Sequence, residues 1–292
     1  MKDLKIDNDN LKVKETPSKV SQISNRGIKD APFDNSFHYR SIIGKLNYSE
    51  KATWSDISYI THQCARFTSK PKANHAKAIR WIAWYLRGTC DKGLIMNHDK
   101  SKGLEVNVDA DFSGNWHKDD ASDIATARSR HGYIIKYMNC PIIWKSQLQY
   151  EILLSSTERE YTGHPYALRE VIPIMNLPQE MKEYNFIPKY EPPTVACTVF
   201  EDNSGVLHMA NVHKYRPRTK HLNVKIYHFC KYVDKGKIWI IPIESENQQA
   251  DYLTKPVWYE TLVRLRKLVM GWWRNTIENM RGSVGKDEKS HL

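Results

Sequence analysis

The sequence predicts a layered α/β domain of mixed (α+β) character over residues 99–256, preceded by a small helical module. Three observations carry this. Apolar residues recur at helical spacing between Tyr39 and Gly88, then alternate with polar ones from Leu104 to Val108. Beyond that they fall in short runs separated by helix-start words. Strands followed by strands alternating with helices suit a sheet flanked by helices.

Residues 1–36 mix Lys, Asp, Asn and Ser with few large apolar side chains and read as a disordered lead-in. In the module, 37–98, Ile57, Ile60, Cys64 and Phe67 share one helix face and Ile79, Ile82, Ala83 and Leu86 another, with Pro71 between them. Leu104, Val106 and Val108 mark a first strand that ends at Asp109. His131–Met138 and Pro141–Ser146 are two more, joined by a turn at Asn139-Cys140-Pro141, and Gln149–Leu154 extends the third or stands alone. Ser155 with Glu158, and Thr157 with Glu160, have the capping-box spacing and open a helix. Pro165 falls inside it and should kink it. Thr194–Phe200 reads as a buried strand, and Leu222, Ile226, Phe229 and Val233 as one helix face. Lys237–Ile243 is a last strand that Pro242 should stop. Residues 257–292 form a helix, with Leu262, Leu265, Leu268 and Val269 on one side, and then a polar tail.

Composition narrows the function. Across 292 residues, 44 Lys+Arg stand against 33 Asp+Glu, a net charge of +11, which favours a polyanionic partner. The cysteines Cys64, Cys90, Cys140, Cys197 and Cys230 have no CxxC spacing. This argues against a disulfide framework and a cysteine zinc site, and suits a reducing compartment. No signal-peptide run and no membrane-length apolar stretch is visible, so the expectation is a soluble, intracellular protein.

Four acids stand where secondary structure could gather them. Asp109 ends the first strand, Glu158 opens the first long helix, Asp202 follows the fourth strand, and Asp251 begins a short helix. The gaps are 49, 44 and 49 residues. Convergent carboxylates suit Mg²⁺ or Mn²⁺, and a pair of such ions about 3.5–4 Å apart can assist displacement at phosphorus. They also need cations nearby. Acids at strand ends and helix starts serve as caps too, so spacing alone leaves both readings open.

The words around these acids carry a resemblance. VDADFSG (108–114) resembles the DADWAG word of copia-type retrotransposon ribonuclease H domains. ARSRHGYIIKYMNCPIIWKSQLQ (127–149) resembles that family's RKSTSGYVFFLGGAPISWKSKKQ. LSSTEREY (154–161) is similar to LSSTEAEY, FEDNSG (200–205) to CDNQSA, RTKHLNVKIYHF (218–229) to RTKHIDIKYHFI, and QQADYLTKP (248–256) to QLADILTKP. Upstream, YRSIIGKLNY (39–48), SDISYI (55–60) and WYLRGTCDKGL (84–94) resemble the segment that joins polymerase to ribonuclease H in such polyproteins. The resemblance runs from about 39 to 257.

The resemblance implies a ribonuclease H-like five-stranded mixed sheet flanked by helices. It places Asp109, Glu158, Asp202 and Asp251 on the family's metal-binding carboxylates, with Asp111 as the alternative to Asp109. It implies two Mg²⁺ ions, Mn²⁺ as a substitute, and hydrolysis of the RNA strand of an RNA–DNA hybrid to 3′-hydroxyl and 5′-phosphate ends. It also implies a cytoplasmic virus-like particle or the nucleus as location. Arg159, Ser204 and Pro165 depart from the family words.

Secondary candidates lie in and beside RTKHLNVKIYHF. His221 could help protonate a leaving oxygen, as could His228 at the same helix face, unless both simply pack. Arg216, Arg218 and Lys220 form a basic cluster suited to phosphates or to a solvated loop. Trp116, Trp144 and Trp239 are read as core aromatics before stacking platforms. The polymerase word, an aromatic followed by X-Asp-Asp, does not occur, nor does an aspartic protease word or an integrase zinc cluster. The expectation is therefore a tail fragment of a polyprotein whose longer form supplies the polymerase. The competing readings are a catalytically silent nucleic-acid-binding module, domesticated or decaying, and a purely structural domain.

Overall fold

The computed structural model describes residues 2–4, 13–19, 31–111, 124–150, 152, 156–184, 196–211 and 231–272. Five strands, β1 (Leu104–Asp111), β2 (Arg130–Tyr137), β3 (Cys140–Leu148), β4 (Cys197–Glu201) and β5 (Ile238–Pro242), lie in the order β3-β2-β1-β4-β5. β1, β2 and β3 form an antiparallel meander, while β4 and β5 run parallel to β1. With its flanking helices this is a five-stranded mixed sheet of the kind that the resemblance implies.

The helices are α1 (Tyr39–Ala52), α2 (Ser58–Ala65), α3 (Ala73–Gly88), α4 (Ile124–Ala127), α5 (Ser156–Glu183), α6 (Ser204–Asn211), α7 (Asp251–Thr254) and α8 (Tyr259–Met270). Strand alternation decides which side of the sheet each residue serves. Leu104, Val106 and Val108 join Tyr133, Ile135, Cys197 and Val199 under α5, which contributes Ala167, Leu168 and Val171. On the opposite face Ile134 meets Tyr252 and Leu253 of α7 and Leu262, Leu265 and Val269 of α8. Asp109, one residue out of step with Val108, therefore faces α7.

Several local expectations need correction. β1 does not end at Asp109 but pairs with β2 for two further residues, Ala110 with His131 and Asp111 with Arg130. The β2–β3 turn is Met138-Asn139, with φ of 49° and 66°, rather than Asn139-Cys140-Pro141. A type I′ two-residue hairpin needs positive φ at both positions, which asparagine tolerates. Pro141 then falls within β3, an edge strand where its missing N–H is tolerated. Gln149 and Tyr150 lie beyond β3 in no strand. Pro165 does lie inside α5, and Pro173 and Pro178 lie inside it as well. Pro242 does close β5.

The helical module has its own core, including Ile43, Ile57, Ile79, Ile82 and Tyr85. Parts of the lead-in join it. Leu4 and Phe33 are buried there, and Trp81 Nε1 donates to Thr16 O at 2.8 Å, so these stretches are packed where disorder was expected. The module also bonds to the sheet layer. Trp144 Nε1 donates to Glu50 O at 2.7 Å, and Arg266 Nη1 to Tyr85 Oη at 2.8 Å. Trp239, by contrast, is 52% exposed on β5, and Trp116 lies outside the described residues. Among the described residues no helix is long and apolar enough to cross a membrane.

Candidate functional site

Asp251 is the first residue of α7, a single turn whose placement is over-determined. Gln248, fully buried, donates from Nε2 to Val108 O at 3.0 Å and so ties the approach to α7 onto β1. Ser146 of β3 donates to Leu253 O at 2.5 Å, and Ser55 of the helical module lies 3.0 Å from the Tyr252 hydroxyl. Beneath α7, Gly132 stands directly across from Asp109 in the β1–β2 register. A Cβ there would come within 2.7 Å of Leu253 Cβ, so only glycine lets α7 settle on the sheet.

The result is contact between two acids far apart in sequence. Asp109 is buried and accepts a hydrogen bond from Thr254 Oγ1, three residues after Asp251. Burial first, and then the Asp251 carboxylate, push Asp109 up to about 7, against the pull of Lys255. Asp251 is likewise raised, by burial above all and by the charge of Asp202, although Lys255 lowers it. Lys255 Nζ lies 2.9 Å from Asp251 Oδ1. Burial alone would lower this ammonium, but Asp109 and Asp251 outweigh it and hold Lys255 above its usual range. One lysine thus faces a buried and a half-buried carboxylate and remains insufficient to hold both in the ordinary range.

Asp202 follows β4 directly, half-buried, on the side of the sheet that faces Asp109 and Asp251, and its charge acts on both. Glu158 lies in the first turn of α5, on the other face of the sheet; its side chain is outside the described residues. Asp111 closes β1 opposite Arg130, and Asp109 reaches Asp251. His221, His228, Arg216, Arg218 and Lys220 all fall outside the described residues. Among the described residues no three of His, Cys, Asp and Glu are grouped closely enough to hold one metal ion by themselves.

Sequence reasoning missed Thr254, Lys255 and Gln248, the residues that hold the pair. All three stand in the word QQADYLTKP. The i,i+4 spacing of Asp251 and Lys255 was a readable signal.

The chain is 32% identical over 220 residues, 75% of its length, to the "Retrovirus-related Pol polyprotein from transposon RE1" of Arabidopsis thaliana. It is 30% identical over 223 residues to the corresponding polyprotein from transposon TNT 1-94 of Nicotiana tabacum. The chain is a relative of transposon Pol polyproteins. It matches only 14–15% of the length of these two relatives. No family model matches the chain. Among solved structures, an RNase H1 named LC11, in complex with RNA/DNA hybrid, aligns at 14% identity and a TM-score of 0.34. That alignment covers 52% of this chain and 93% of the other. A foamy viral protease-reverse transcriptase in complex with double-stranded DNA aligns at 12% and 0.41, over 75% of this chain and 34% of the other.

Proposed function

We propose that this Pol polyprotein relative is a copia-type, divalent-metal-dependent ribonuclease H that hydrolyses the RNA strand of RNA–DNA hybrids. The observation that carries the reading is the Asp109–Asp251 contact: one buried and one half-buried carboxylate, under-neutralised, at the centre of a ribonuclease H-like sheet.

The donor set fits a hard divalent cation. It offers only carboxylate oxygens, which Mg²⁺ and Mn²⁺ prefer. Both acids are raised by burial and crowding, the condition that added positive charge relieves. Asp109 and Asp251 would hold the metal from the sheet and α7, with Asp202 and Glu158 drawn in on binding. Two bound Mg²⁺ ions, or Mn²⁺ in their place, would supply Lewis acidity toward water and the scissile phosphate.

The chain's own residues do the rest. Thr254 fixes the Asp109 carboxylate by donating to it, and Lys255 steadies Asp251 while keeping a cation where a phosphate backbone would pass. Arg216, Arg218 and Lys220 supply further phosphate contacts, and His221 assists protonation of the leaving oxygen. A longer Pol polyprotein supplies the polymerase. A hybrid is read by backbone shape and 2′-hydroxyls, so little base preference is expected.

The test is direct. Purified chain is mixed with labelled RNA–DNA hybrid and Mg²⁺ beside Asp202→Asn. Cleavage by the parent and its loss by orders of magnitude in the variant support the enzyme. One observation favours a silent binding module instead: α5 contains three prolines, the first seven residues beyond Glu158. Hybrid binding without cleavage by either protein would select that reading.

A further inference from the structure

On the α5 side of the sheet, the interior holds an ionisable pair that the nuclease reading leaves unused. His164 Nε2 lies 2.5 Å from Glu201 Oε2, and both side chains are 1% exposed. The second oxygen, Glu201 Oε1, accepts the Asn203 N–H at 2.8 Å. Asn203 Oδ1 in turn accepts the N–H of Gly205 at 2.8 Å and of Val206 at 3.2 Å, which caps α6. Both oxygens of one buried carboxylate are therefore committed. Burying such a pair costs solvation that an apolar filling would not, so its geometry calls for a reason.

Its placement supplies one. Glu201 is the last residue of β4, and its side chain reaches over Asp202 to grip Asn203, closing the backbone around Asp202. His164 stands in α5, six residues beyond Glu158. One hydrogen bond thus joins the helix that carries Glu158 in its first turn to the strand end that presents Asp202. We infer that His164 and Glu201 form a positioning pair that sets Glu158 and Asp202 at a fixed spacing for cation binding. The inference rests on the nuclease reading. It assigns these two residues no contact with substrate or metal.

The test uses the full chain with Glu201→Leu, Glu201→Gln and His164→Asn, the last too short to reach Glu201. Three quantities are measured: Mn²⁺ affinity by calorimetry, kcat and KM on the hybrid, and amide exchange at Asn203. Glu201→Leu should weaken Mn²⁺ binding and lower kcat by about 10–100-fold, the usual cost of removing support from metal-binding carboxylates. KM should hold and Asn203 exchange should quicken. Glu201→Gln keeps the Asn203 bond through its carbonyl oxygen and, with His164 as the Nδ1–H tautomer, donates from its amide to Nε2, so it should recover most of the loss. Should Glu201→Leu fail to fold, His164→Asn breaks the same bond from the helix side and should give the same Mn²⁺ and kcat losses. If the variants melt earlier yet keep Mn²⁺ affinity and kcat, the pair is only structural and the inference is overturned. A parent that cleaves no hybrid but binds Mn²⁺ sinks the nuclease reading alone, and the pair is then judged on Mn²⁺ affinity. A parent that does neither removes both.

Discussion

Leu104, Val106 and Val108 point from β1 into the hydrocarbon layer under α5. Asn107 and Asp109, one residue out of step, are about as buried on the side of α7 and α8. Burial of the first set drives folding, at roughly 25 cal/mol per Å² of apolar surface. Burial of the second set opposes it. Neither polar atom of the Asn107 side chain has a hydrogen-bond partner among the described residues, and Asp109 is pushed up to about 7. The lesson is a division of labour within one strand. The apolar face holds the strand in a register that forces an uncomfortable carboxylate against α7.

The comparison breaks first, and most widely, at Asp109. Asp109→Asn should lower hybrid cleavage by more than about 100-fold, the upper end for residues that merely support a metal site. Without divalent ions the same variant should be more stable by about 0.5–2 kcal/mol, because a like charge is removed from a buried pair. Thermal melts in chelator, beside cleavage assays in Mg²⁺, read the two effects. Val108→Ala, its neighbour on the other face, should lose about 2 kcal/mol for its two methyl groups and the cavity they leave. If Asp109→Asn melts earlier than the parent, the polar face is not under tension and the comparison fails.

The α5 face carries an exception that sharpens the contrast. His131, fully buried, stacks on Tyr166 of α5 with ring centroids 4.5 Å apart. Burial first, then the nearby Arg130 and Lys145, push it down to about 3. The folded pKa lies below the unfolded one, so as pH falls the unfolded chain takes the proton first. Stability from this group is whole above about 6.5 and drains away as pH falls toward 3. Between pH 7 and 4.5 the parent should lose about 2–3 kcal/mol more than His131→Gln. Urea unfolding of both proteins at the two pH values measures the difference, and equal losses would show that the ring is not held neutral.

Much of this was legible in advance, for a physical reason. Period-2 alternation in Leu104, Val106 and Val108, and the spaced words around the acids, report local geometry that the fold preserves. The edges of elements were less legible. Where β1 ends depends on pairing with Arg130 and His131, and which residues turn the β2–β3 hairpin depends on twist, so neither is written in the strand itself. α5 was read through Pro165, but not as far as Pro173 and Pro178, because helix interiors reject proline unless tertiary packing overrides the local cost. In the site, the acids were named from words, whereas their contact needed Gly132, Ser146 and Ser55 to seat α7 from three other segments. No window of sequence contains that information.

Two glycines give the finest test, since the same methyl group can be added to each face of the sheet. At Gly132 a Cβ meets Leu253 Cβ at 2.7 Å, Thr254 Cγ2 at 3.0 Å and the Ala250 carbonyl oxygen at 3.3 Å. All three belong to α7 or its approach, and a backbone atom among them cannot rotate away. At Gly163 on α5 it meets Val108 Cγ1 at 3.1 Å and His131 Cβ at 3.7 Å, side-chain atoms that can give by a few tenths of an ångström. Gly132→Ala should therefore cost about 1–3 kcal/mol as overpacking. It should also lower cleavage, because α7 carries Asp251 away from Asp109. Gly163→Ala trades a small clash against about 1 kcal/mol of helix propensity and should leave the melting point nearly level. Denaturant melts of the two variants, scored beside their hybrid cleavage, decide the matter. Equal losses in stability would mean that both faces are packed to the same tolerance, and the tight seating of α7 would then explain nothing about the site.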